Sequence, residues 1–311
     1  MLRAFALVLA AATLLHVIAY RWRLTRTRRA DRARLPVGAD GIIPGAEAIT
    51  LHGSATHAAL LVHGFGDTPQ TLHMLAQFLH RSHGWTVHAP LLPGHGRTLA
   101  AFDASGASDW RGAMHREYVA LKAQYATVAL VGLSMGGALT TLEAAQDDSL
   151  PALVLLAPYL TPPASAQRLA PLAGVINLLM PYLDGGDRDR SIFDPDARAL
   201  ALGYGAVPPK RVRDLVSVAH DARFAAADVR APTLLVHSRS DYRIPVPLAE
   251  SHPELFANAV VCEQNWVTGC GHVITVDRCR EQVWALTAEW LERFAGSPTG
   301  GSPTAASERI S

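Results

Sequence analysis

The 311-residue chain is poor in cysteine, in lysine and in net charge. Three cysteines, Cys262, Cys270 and Cys279, allow at most one pair, which excludes a disulfide framework. That scarcity suits a reducing compartment. Lysine occurs only at Lys122 and Lys210, so almost all of the basic residues are arginine. There is no internal repeat. With 49% hydrophobic residues the chain is neither wholly disordered nor of low complexity, and it is long enough to bury a sizeable core.

The net charge of +1 is a cancellation. Residues 1–34 hold eight arginines (at 3, 21, 23, 26, 28, 29, 32 and 34) and one acid, Asp31, a net of +7. The remaining 277 residues carry −6. A nucleic-acid-binding domain needs basic charge on its folded body. This body has the opposite sign, so nucleic acid is excluded as a partner.

Ala4 to Tyr20 is an uncharged, largely apolar run, and seven arginines follow it. As a helix it is about 25 Å long, close to the ~30 Å of a hydrocarbon core. A cleaved signal peptide requires a small-x-small cleavage site, and none lies between residue 15 and the arginines that follow the run. A buried helix fits poorly beside so much charge. The preferred reading of 1–34 is a membrane anchor with a basic flank. The flank follows the span, so the body is expected in the cytoplasm and the N-terminus outside. Residues 35–46, with two prolines and three glycines, read as a linker. Residues 296–311 read as a disordered tail.

Between 47 and 295, short apolar runs alternate with helical patterns. Strands are expected at 58–64, 85–90, 126–132, 151–158, 231–238 and 258–266. Helices are expected at 68–84, 108–124, 134–146, 210–228 and 277–294. This alternation predicts an α/β fold, a mostly parallel sheet with helices on both faces. Residues 160–215 interrupt it. They are read as a cap over the site, and Val175, Ile176, Leu178, Leu179 and Met180 as an apolar pocket within it.

Gly132-Leu133-Ser134-Met135-Gly136 has the form G-x-S-x-G between an expected strand and an expected helix. A nucleophile elbow requires that context. His63-Gly64-Phe65-Gly66 follows an earlier strand. An acyl-transfer intermediate carries an oxyanion that two backbone N–H groups must meet. Met135 and Phe65 are the candidates for them. A serine nucleophile also needs a base, and the base an acid. His272 lies after the last expected strand, and Asp241 in the loop after the strand at 231–238. Asp214 and Asp221 compete for the acid but fall within a helical stretch. Asp277 looks like a helix cap.

These pieces carry a family resemblance. LLVHGFGDTPQ, APLLPGHGRT, DW at 109–110, VGLSMGG, HSRSDYRIP and GHVITVD resemble the serine α/β-hydrolases, and among them bacterial carboxylesterases and monoacylglycerol lipases. The resemblance spans about residues 47–295. It implies hydrolysis of apolar acyl esters through an acyl-serine intermediate under a small cap, with Ser134, Asp241 and His272 catalytic. It also implies that Phe65 and Met135 form the oxyanion hole. The cap's proline-rich opening and GGDRDR (185–190) depart from the family pattern. An acyltransferase with the same three residues, or a silent hydrolase fold used for binding, are the alternatives.

No cofactor and no metal is called for. His73, His80, His83 and His88 lack ligand spacing, and His95 reads as structural. The cysteines read as core thiols, with a Cys262–Cys270 pair considered and set aside. The expected partners are a small ester or lipid-derived substrate and the membrane. The oligomeric state is left open.

Overall fold

The computed structural model describes residues 1–186 and 188–297. The expected disordered tail therefore lies mostly outside the described residues. In chain order the helices and strands are α1 (Leu2–Arg34), β1 (Ile49–Leu51), β2 (His57–Val62), α2 (His73–His83), β3 (Thr86–Ala89), α3 (Leu99–Ala104), α4 (Ala107–Lys122), β4 (Thr127–Leu133), α5 (Met135–Ala144) and β5 (Leu153–Leu156). Then come α6 (Ala164–Leu169), α7 (Ala173–Leu179), β6 (Leu183–Asp184), α8 (Arg188–Ser191), α9 (Pro195–Leu200), β7 (Ala206–Val207) and α10 (Pro209–Ala225). The chain closes with β8 (Thr233–Ser238), α11 (Val246–Ala249), β9 (Cys262–Val267) and α12 (Arg280–Ala295).

The described residues form one seven-stranded sheet in the order β1-β3-β2-β4-β5-β8-β9. Only β1 runs antiparallel to its neighbour. The central strands β2, β4, β5 and β8 are largely apolar because both faces are covered. Leu60, Val62 and Leu130 pack on the side of α4, α5 and α10. Leu61, Ala129 and Val131 pack on the side of α2 and α12. Successive side chains alternate between the two cores, as strand geometry requires.

The helix expected over 68–84 divides. Pro69–Leu72 is a 3₁₀ turn entered from Thr68, whose hydroxyl accepts from the Gln70 N–H, and α2 begins at His73. Gly84 ends α2 in the left-handed conformation at φ 72°, a backbone that favours glycine. The last strand starts at Cys262, four residues later than the pattern suggested.

The apolar run and its arginine flank form one continuous helix, α1. It is long and apolar enough to cross a membrane by length and composition, and its apolar window is wholly unburied. Residues 35–46 hold no helix or strand, yet Leu35, Ile43 and Ala46 are buried in the core on the α4 side. The Ile43 N–H donates to the Gly96 carbonyl at 2.8 Å.

Candidate active site

Ser134 sits between β4 and α5 with φ 54° and ψ −114°, a strained backbone for a residue with a side chain. Its surroundings hold that strain. The Ser134 N–H donates to the Leu156 carbonyl at 2.9 Å, and the Ser134 carbonyl accepts from Tyr159 N–H at 3.0 Å. The turn has no room for side chains at Gly132 and Gly136. A Cβ on Gly136 would lie 2.0 Å from the Val62 carbonyl oxygen, and one on Gly132 would lie 2.4 Å from that of Gly136.

His272 and Asp241 reach this serine from two other strand ends. The Ser134 hydroxyl and His272 Nε2 are 2.8 Å apart. His272 Nδ1 is 2.7 Å from Asp241 Oδ2. With the carboxylate ionised, Nδ1–H donates to it, which leaves Nε2 free to accept from the serine. The other Asp241 oxygen accepts from the N–H groups of Arg243 (2.8 Å) and Ile244 (3.0 Å). Burial pushes the Asp241 pKa up. The charge and hydrogen bond of His272, with those two N–H groups, outweigh burial and hold it below the usual 3.8. Asp214 and Asp221 are instead on α10, paired with Arg211 and Arg111.

Phe65 lies in the loop after β2. A Cβ on the preceding Gly64 would be 3.4 Å from the Ser134 Cβ, so this loop borders the serine. Met135 is the first residue of α5, where an N–H has no acceptor within the helix. The Phe65 ring packs against Phe102 and Trp110, with centroids 5.2 and 5.8 Å away. Beneath it His63 Nε2 accepts from the Leu92 N–H at 3.1 Å, and its Nδ1–H donates to the Gly64 carbonyl at 2.9 Å. Burial lowers the His63 pKa to about 4, so it stays neutral.

A cavity of about 480 Å³ opens beside Ser134 and His272. Leu169, Leu183, Val207, Val212 and Leu215 give it apolar walls, while Arg243 and Asp184 add polar groups. Its apolar lining is not the one expected from the sequence. Val175, Leu178 and Leu179 are 59%, 70% and 55% exposed, and α7 turns its apolar side outward. Hydrophobicity alone does not tell which side of a short helix faces the cavity.

Two features of the His272 loop correct the sequence reading. Cys270 and Cys279 form a disulfide, and Cys262 is the free cysteine. The pair is therefore neither absent nor Cys262–Cys270, and it runs against the reducing compartment that the cysteine count suggested. Burial pushes the Cys262 thiol up to about 11. Asp277 does not cap α12, whose N-cap is Cys279. It is fully buried and accepts from the N–H groups of Gly271, Phe193, Asp194 and Arg278 at 2.7–2.8 Å. It thus ties the His272 loop to the cap. An acid inside the apolar stretch GHVITVD was the available signal, but two of its partners, Phe193 and Asp194, lie some 80 residues away.

Among the described residues there is no cluster of three His, Cys, Asp or Glu that could hold a metal. Of the histidines weighed for one, His83 meets Glu292 at 2.8 Å and His88 meets Glu117 at 3.2 Å.

The sheet order, the strained turn and the cap define an α/β hydrolase, and the chain belongs to the alpha/beta hydrolase family, whose model matches residues 59–286. Its relatives are ester-hydrolysing enzymes. The chain is 28% identical to a thermostable monoacylglycerol lipase of Bacillus sp. (strain H-257), over 76% of this chain and 91% of that protein. It is 26% identical to a carboxylesterase of Bacillus subtilis (strain 168), over 76% and 93%. Among solved structures it is similar to one reported for LipS and LipT, two metagenome-derived lipolytic enzymes. That match has 27% identity and a TM-score of 0.70, and covers 81% of this chain and 99% of the other.

Proposed function

We propose that the protein is a serine carboxylic-ester hydrolase acting on apolar acyl esters, of the carboxylesterase or monoacylglycerol lipase kind. The hydrogen-bonded series Ser134–His272–Asp241, at 2.8 and 2.7 Å, carries this reading. His272 takes the Ser134 proton as the oxygen attacks the ester carbonyl. Asp241 holds the imidazole in its tautomer and stabilises its cation. The N–H groups of Phe65 and Met135 receive the oxyanion. His272 then protonates the leaving alcohol. Water, activated by the same histidine, releases the acid from the acyl-serine.

The apolar walls from Leu169 to Leu215 suit an acyl chain. Hydrolysis of p-nitrophenyl esters of graded chain length tests the reading. Activity is expected in the wild type, falling on the order of 10⁴-fold or more in Ser134→Ala. No wild-type activity, or full activity in the variant, overturns it.

The same reading makes α1 a membrane anchor that keeps the enzyme beside lipid-derived esters. The exposed apolar residues of α7 support it, because they lie on the side where His16 Nε2 of α1 meets the Leu178 carbonyl at 2.8 Å. The arginine flank favours a cytoplasmic body, whereas the Cys270–Cys279 bond favours an oxidising side. Protease added outside intact cells separates them. A protected body follows from the flank, a digested one from the disulfide.

A further inference from the structure

The N-terminal helix does more than leave the body. Residues 3–19 of α1 are exposed, but from Tyr20 onward one face turns inward. Tyr20, Leu24, Thr27, Arg28, Asp31 and then Leu35 follow helical spacing along it. This face packs along α3 and reaches the segments that lead into the short ribbon of β6 and β7, which pair antiparallel at Leu183–Val207. Arg28 Nε donates to the Tyr182 hydroxyl at 2.8 Å, just before β6. Arg34 Nη2 donates to the Gly203 carbonyl at 2.9 Å, just before β7.

The inner side of the same segment holds the Phe65 loop. The Tyr204 N–H donates to the Gly66 carbonyl at 2.9 Å. The Tyr204 ring stacks on Phe102 at 4.9 Å, and Phe102 packs on Phe65 at 5.2 Å. The Tyr204 hydroxyl accepts from the Arg97 N–H at 3.0 Å and donates to the Gly94 carbonyl at 2.9 Å, which fixes the ring. Gly203 is thus held from outside by α1, and its neighbour Tyr204 holds the loop from inside.

We propose that Arg34 and Arg28 are positioning residues for this site, setting the Phe65 N–H through the ribbon and Tyr204. The inference rests on the proposed role of Phe65 as an oxyanion donor. It makes the anchor part of the enzyme's working geometry, beyond fixing its location. An oxyanion donor acts mainly in the transition state, so its displacement lowers kcat more than it changes KM.

The test uses the full-length chain in detergent with p-nitrophenyl acetate, a short ester that needs no membrane. Arg28→Ala/Arg34→Ala is compared with Arg23→Ala/Arg29→Ala, which removes the same charge from exposed positions of α1. The first pair is expected to lower kcat about tenfold with KM changed less than twofold. The second pair is expected to leave both unchanged, and Arg34→Lys to retain more activity than Arg34→Ala. Amide hydrogen exchange over residues 64–67 is expected to quicken in the first pair alone. Equal kcat and equal exchange in both pairs, or equal losses in both, overturn the proposal. A wild type that hydrolyses no ester defeats the esterase reading. The exchange comparison still decides whether α1 holds the loop.

Discussion

The Ser134 turn and the cap are built on opposite terms. Around Ser134 the backbone is strained, glycines sit against carbonyls, and almost every side chain of α5 is buried. In the cap the elements are short, and α7 buries only Ala173. One region has a single arrangement that its packing permits, while the other meets the core through a few side chains such as Leu160, Tyr182, Tyr204 and Val207. The difference teaches where chemistry and substrate choice reside. In the proposed reaction the nucleophile needs a rigid scaffold that stores strain, and the surface over it can vary without disturbing the sheet.

Paired glycine substitutions should break this contrast most sharply. Gly136→Ala places a Cβ 2.0 Å from a backbone oxygen that cannot move without shifting β2. It is expected to cost more than about 3 kcal/mol, read as loss of soluble protein or a large fall in Tm. A smaller loss is expected at the seam between the regions. Asp277→Asn replaces a carboxylate that receives four N–H groups with an amide that cannot accept them all, costing about 2–3 kcal/mol in denaturant melts. Cys279→Ser should cost a similar amount by freeing the loop in the unfolded chain.

Acid should act on the rigid region next. Burial lowers the pKa of His63 and of His237 to about 4. Between pH 6.5 and 4 the unfolded chain binds protons there that the folded chain does not. Their contribution is full above pH 6.5 and is lost progressively as the pH falls to about 4. Melts across that range should show stability dropping by on the order of 1–3 kcal/mol. His63→Gln should flatten the slope. The smallest effect is expected in the cap and has the opposite sign. A Cβ on Gly174 meets nothing within 4 Å in α7, so Gly174→Ala should add about 0.5–1 kcal/mol.

The sheet was legible because each strand is a short apolar run and each helix repeats every three to four residues. Ser134, Asp241 and His272 were legible as candidates because each follows a strand in chain order, and such ends share one edge of a parallel sheet. The disulfide was not legible. Cys270 and Cys279 are brought to a Cα separation of 5.8 Å by the turn carrying His272, while the spacing of three cysteines is silent on which two meet. The outward face of α7 was hidden for a similar reason, since Asn177 is the one polar residue in that helix and does not mark an exposed side.

Local pattern therefore determined the alternating α/β order, the strand-to-helix turn at Ser134 and the apolar stretch of α1, because these depend on neighbours within a few residues. Tertiary structure alone decided which cysteines pair, what lines the cavity and how α1 reaches Gly203. Those contacts join residues 9 to 169 positions apart. They depend on how whole elements pack, and no single stretch of sequence carries that information.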